Sequence, residues 1–250
     1  MSNHETNRRP VALITGAARR IGATLARCLH AAGYDLALHY RSSRAELDAL
    51  IAELEAARAG STLALQADFG DVEKLGGLVS AAADHYGRLD ALINNASAFY
   101  PTPLATATAQ QWDELFAANV RAPFFLAQAA APRLAARGGA IVNIIDIYAE
   151  QPLPQHSVYC MSKAALTMMT KSLARDLGPD VRVNGVAPGA VLWPDTGKAY
   201  ADREAMIERT PLKRMGTPED VASAVLWLVR DARFVTGEIV RVDGGRHLVT

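Results

Sequence analysis

Cysteine is scarce: Cys28 and Cys160 are the only two in 250 residues, and neither stands in C-x-x-C or Cys/His spacing. That excludes a disulfide framework and argues against a bound metal, so both read as packing residues in helices. The six histidines lack metal spacing as well. An excess of charge is missing too. The 26 basic and 26 acidic side chains cancel, so no global field draws nucleic acid or an anionic membrane surface. No apolar run approaches the ~20 residues of a membrane span. The opening MSNHETNRRP lacks the apolar core of a signal peptide. The expectation is a cytoplasmic protein whose partner is a small molecule held in a local pocket.

What the chain does have is core. Half its residues are apolar and 21% are charged, and a chain of this length buries enough surface to need no covalent staple. Short β-rich runs recur at VALIT (11–15), DLALHY (35–40), TLALQAD (62–68), ALINNA (91–96), AIVNII (140–145), VRVNGVAP (181–188) and EIVRVDG (238–244). Between the first six lie segments of helical period, such as Ala23–Ala32, Arg44–Arg58, Val72–Tyr86, Trp112–Arg137 and Val158–Leu177. This alternation predicts α/β architecture: a single doubly wound, Rossmann-type domain on a mainly parallel seven-stranded sheet. Leu192–Gly216, mixed in polarity and carrying Trp193, reads as a lid over a site.

Such sheets hold ligands beyond the C-terminal ends of their strands, so the residues there are read first. TGAARRIG follows the first strand. Gly16 permits a tight turn, Gly22 lets the helix approach the sheet, and the helix N-terminus around Ile21 offers amides to a pyrophosphate. The middle glycine usual in such loops is replaced by Arg20, which places a cation towards the cleft. At the end of the second strand, HYRSSR supplies His39, Arg41, Ser42 and Arg44 and no acid. Charge with hydroxyl donors suits a 2′-phosphate, so the expected cofactor is NADP(H). Asp68 and Phe69 suit the adenine. Asn95, Ala96, Ser97, Pro188 and Gly189 stand at further strand ends.

Tyr159 and Lys163 are four apart and share a helical face. An ammonium beside a phenol lowers its pKa, so Tyr159 can give up a proton while Lys163 reaches the cofactor ribose. Asn119 precedes Pro123 by four residues. Proline has no N–H for the Asn119 carbonyl, which is left free to hold a water leading to Lys163. His156 can reach the mouth of the site, though an exposed loop histidine is the plainer reading.

Taken together, TGAARRIG, NNA, Asn119, YCMSK, VAPG and a terminal VDGG resemble the short-chain dehydrogenase/reductase family over essentially the whole chain. That family uses a Tyr/Lys/Asn/Ser set, and Asp146 occupies the serine position. LHYRSS, NNASAFYPTPL, Asp146, QPL and RVNGVAPG narrow the resemblance to the pteridine reductases. The resemblance implies that Phe99 stacks on a pterin opposite the nicotinamide. It also implies that Ser97 and Arg20 contact cofactor phosphates and the pterin, and that Asp146 serves protonation with Tyr159. A homotetramer acting on a pterin or folate is the implied assembly and partner. A carboxylate accepts where serine would donate, which suits the ring N–H and amino donors of a 2-amino-4-oxopteridine better than a developing oxyanion. Trp193 offers a further flat surface or merely caps the lid.

Overall fold

The computed structural model describes residues 9–191 and 203–249. Seven strands, β1 Val11–Ile14, β2 Asp35–Tyr40, β3 Thr62–Gln66, β4 Ala91–Asn94, β5 Ala140–Ile144, β6 Arg182–Pro188 and β7 Ile239–Val242, form one sheet ordered β3-β2-β1-β4-β5-β6-β7. Every pairing is parallel. The helices are α1 Arg20–Ala31, α2 Arg44–Ala57, α3 Leu75–Tyr86, α4 Ala109–Phe116, α5 Ala122–Ala135, α6 Ser157–Leu177, α7 Arg203–Arg209 and α8 Pro218–Arg230. Of the expected lid, 192–202, with Trp193, lies outside the described residues, and the rest contains α7.

The strands are mainly apolar because their side chains alternate between two covered faces, and polar ones among them, such as Asn94 and Asn143, pair with each other. In β1, Ala12 and Ile14 pack with Leu25, Leu47 and Val225 of α1, α2 and α8, while Val11 and Leu13 face Leu78, Leu126 and Ala174 of α3, α5 and α6. Both faces are covered, so neither tolerates a polar side chain without a partner.

The expected helix over Trp112–Arg137 is interrupted. It opens at Thr108, whose side chain caps Gln111 reciprocally, and α4 gives way to a π-turn over Ala117–Arg121, where the N–H of Ala122 donates to the carbonyl of Ala117. Pro123, on the first turn of α5, cannot supply the next helical donor. The extra residue in the turn carries Asn119 inward to 1% exposure.

The strand order reverses between β1 and β4, and a single hydroxyl joins the loops that leave them. Thr15 Oγ1 accepts from the amides of Asn95 (2.9 Å) and Ala96 (3.0 Å), and Asn95 Nδ2 donates back to the carbonyls of Thr15 and Gly16. We expect Thr15→Val to strand two amides and lower unfolding stability by about 2–4 kcal/mol, measured by denaturant titration.

Candidate active site

The C-terminal strand ends open into a cleft of about 920 Å³. Its floor is the loop from β1 to α1. A Cβ on Gly22 would lie 2.1 Å from the Gly16 carbonyl oxygen, and one on Gly16 would lie 2.9 Å from Ala96 Cα, so neither position admits another residue without movement. Arg19, the N-cap of α1, gives no side-chain cap, which leaves first-turn amides for an anion. Arg20 holds a left-handed φ of 56°. A non-glycine residue there costs on the order of 1 kcal/mol, so the chain retains a side chain at a position that favours glycine.

The wall beyond is built from the ends of β2 and β3. His39 is buried. Its Nδ1 accepts from the amide of Gly16, its Nε2 donates to the carbonyl of Ala67, and its ring stacks on Phe69 at 4.5 Å. Burial pushes its pKa down to about 4, so the ring is neutral and acts as a strut rather than a charged ligand. Arg41, Ser42 and Asp68 are exposed along the cleft, which the buried Phe69 also lines. Arg44 is turned away, paired with both carboxylate oxygens of Asp48 at 2.8 and 2.9 Å. Of the two arginines expected to meet an anion, only Arg41 is left lining the cleft.

The remaining expected cofactor residues separate. Ile21, Asn95, Ala96 and Ser97 line the cleft, although the Asn95 amide is spent on the β1 loop. Pro188 ends β6, and the amide of Gly189 donates to the carbonyl of Val242. A Cβ on Gly189 would meet Asp243 Cβ at 2.7 Å, so it serves close backbone packing. The sequence reading passed over one wall, formed by Asp113, Glu114, Ala117, Ala118 and Arg121. Their spacing of three and four along a helix was the available signal. The cleft's volume, anion-ready loop and exposed cation together fit a dinucleotide.

At the chemical end, Asp146 follows β5 and caps the short turn Ile147–Ala149, accepting from the amide of Tyr148 at 2.9 Å. Its other oxygen accepts from the Tyr159 hydroxyl at 2.7 Å. Lys163 is 2% exposed, and its Nζ donates to the carbonyl of Ile144 at 2.9 Å. Burial pushes the Asp146 carboxyl up and lowers Lys163 to about 8, each partly opposed by the other's charge. The Asn119 side chain is fully engaged, taking hydrogen bonds from Ser97 Oγ and the Ala98 amide and giving them to the Ala98 carbonyl and Ser162 Oγ. It braces the loop after β4 against α6. His156 is a correction to the plainer reading: it is 4% exposed and stacks on Phe99.

Residues 16–247 match the family described as enoyl-(acyl carrier protein) reductase. The chain belongs to the short-chain dehydrogenase/reductase family. Pteridine reductase 1 of Leishmania tarentolae is 37% identical over 96% of this chain and 96% of its own. A Streptomyces violaceoruber protein named for a ketoacyl reductase of granaticin polyketide synthesis is 40% identical over 96% and 97%. The 3-oxoacyl-[acyl-carrier-protein] reductase FabG of Staphylococcus aureus strain Mu50 is 34% identical over 95% and 98%. The chain is thus an oxidoreductase of this family, whose members use NAD(P)H.

Among the described residues no helix is long and apolar enough to cross a membrane, and no cluster of metal-ligating side chains forms.

The buried lysine predicts a pH dependence. Its folded pKa of about 8 is below the ordinary value of 10.5, so the ammonium is present below pH 8 and is lost as pH rises through it. Turnover that needs the ammonium should fall along an alkaline limb near pH 8. Lys163→Arg, which stays protonated, should move that limb upward in a kcat–pH profile; a limb that does not move belongs to another group.

Proposed function

We propose that the protein is an NADPH-dependent pteridine reductase that reduces a C=N bond of a dihydropterin. The observation that carries this reading is the 2.7 Å hydrogen bond from Tyr159 to Asp146, a carboxylate where a carbonyl reductase of this fold has a hydroxyl. A serine there donates to the substrate oxygen. A carboxylate only accepts, and it repels the oxyanion that a ketone develops. A 2-amino-4-oxopteridine instead presents N–H donors, and its reduction needs a proton on nitrogen.

When bound, the reduced nicotinamide supplies the hydride. The chain's own residues do the rest. Tyr159 holds a proton on its hydroxyl, and Asp146 in its ionised form accepts from that hydroxyl and from ring N–H groups, while its raised pKa lets it take up a proton and return it to Tyr159. Lys163 stabilises phenolate character on Tyr159; its Nζ lies 5.8 Å from the phenol ring centroid. Phe99 offers a flat face to the pterin, and Arg20 lies on the opposite wall of the phosphate loop. Arg41 with Ser42 supports a preference for NADPH. The exposed Phe124 of α5 and Met168 of α6 suit assembly as a homotetramer.

The similarity to ketoacyl reductases supports a second reading, a carbonyl reductase with a substituted serine. A panel of dihydropterins, pterins, dihydrofolate and acyl ketones, assayed by NADPH oxidation with NADH as control, separates the two. Dihydropterin turnover is expected; ketone reduction without it would refute the proposal. Asp146→Ser should cut kcat on a dihydropterin at least tenfold, with NADPH affinity within a factor of about two. Tyr159→Phe should remove more than about 99% of turnover. Arg41→Ala should raise the KM for NADPH about tenfold and leave that for NADH nearly unchanged.

A further inference from the structure

The closing VDGG of the chain has no part in the reaction described so far, yet it is tied to the segment that carries Asp146. β7 ends at Val242. Gly244 and Gly245, with left-handed φ of 65° and 85°, then turn the chain back into the short turn Arg246–Leu248. Asp243 locks this turn. Its carboxylate accepts from the amides of Gly245 (2.9 Å) and His247 (2.8 Å) and from His247 Nδ1 (2.7 Å), and its side chain is 4% exposed.

The locked turn holds the Asp146 segment at two points. Beyond Asp146 the chain folds tightly, with the amide of Ala149 donating to the Asp146 carbonyl and the amide of Gln151 to that of Ile147. Gln151 Nε2 then donates to the carbonyl of His247 at 2.6 Å, and Glu150 pairs with Arg241 of β7 at 2.5 Å. The first of these contacts is made by the residue next to Arg246. Arg246 is half-buried, and its charge reaches the Asp146 carboxyl, where it favours the ionised form against the effect of burial. The other titratable groups around that carboxyl come from α6. Tyr159 donates to it, the Lys163 ammonium favours its charge, and burial together with the carboxylate keeps the Cys160 thiol protonated. Lys163, held at about 8, gives up its charge as pH rises, whereas a guanidinium keeps its own throughout.

We propose that Arg246 is a positioning residue of the active site: the locked C-terminal turn sets its guanidinium near the Asp146 carboxyl and so keeps that group an acceptor for the Tyr159 hydroxyl. The inference rests on the role proposed for Asp146 and holds whichever ring is reduced.

The test is an NMR titration of the Asp146 carboxyl in protein labelled with 13C-aspartate, the signal being assigned by its loss in Asp146→Asn. A neighbouring cation favours the charged carboxylate, so its removal moves the midpoint to higher pH. Arg246→Gln should raise the midpoint by about half to one pH unit, and Arg246→Lys, which keeps the charge, by much less. Gln151→Met, which keeps every charge and cuts the tie to His247, should raise it by part of that amount. The acid limb of kcat/KM for a dihydropterin should move with the midpoint, and Arg246→Gln should add nothing in the Asp146→Asn background. Thermal unfolding reports that each variant is folded. A midpoint unmoved in Arg246→Gln or in Gln151→Met overturns the inference, as does an Arg246→Gln variant whose only defect is a raised KM for substrate. Failure to reduce any dihydropterin overturns the pterin reading alone, because the carboxyl titration requires no turnover.

Discussion

A lysine ammonium withdrawn from water is the constraint on which the site depends. Lys163 Nζ donates to the carbonyl of Ile144, and the charge that compensates it is that of Asp146. Desolvation pushes the lysine down and the carboxyl up, so both groups resist ionisation and each relieves the other. Tyr159, hydrogen-bonded to the carboxylate and within reach of the ammonium's field, sits between a lysine that holds its proton loosely and a carboxyl that holds one more tightly than an exposed carboxyl does. The sheet makes this arrangement rigid, because Ile144 ends β5, Asp146 caps the next turn, and Tyr159 and Lys163 share one face of α6. A proton relay placed on such elements needs no reorganisation to be in line.

The phosphate end solves a different problem with the same economy of space. Gly16 and Gly22 are held so close to Ala96 and to each other that the loop's shape is a packing consequence, fixed by Thr15, Asn95 and the neutral His39. Within that rigid turn Arg20 is the exception, a long cation accepting the left-handed backbone that glycine would take freely. A side chain kept at a left-handed position on the cleft rim points to ligand contact.

Much of this was legible in the sequence because it is local. Strand and helix periods, the glycine spacing at 16 and 22, the i, i+4 pair at 159 and 163, and the basic end of β2 each lie within one element or one turn. The fold class and most residues of the cofactor cleft follow from them. The rest depends on contacts between distant segments. Arg44 looked equivalent to Arg41 until Asp48, one helical turn on, took its guanidinium. Pro123 marked a break in the long helix, but only the structure shows the π-turn that brings Asn119 inward. His156 resembled an exposed loop residue because its burial comes from Phe99, far away in the chain.

The separation between reaction type and substrate choice follows from where the residues stand. Tyr159, Lys163 and Asn119 lie on α6 and the α4–α5 junction, elements packed by the core, and such a set suits any reductase of this fold. Arg20, Phe99, Asp146 and His156 stand in loops and at element ends, outside the packed middles of strands and helices. Changing a donor to an acceptor at 146 leaves the Tyr159 contact intact and reverses what the site asks of a substrate. On the proposed pterin reading, an oxygen gaining negative charge is turned away and a ring edge with N–H groups is accepted. On that reading the reaction type rests on the rigid elements of the fold, and substrate choice rests on side chains at their ends.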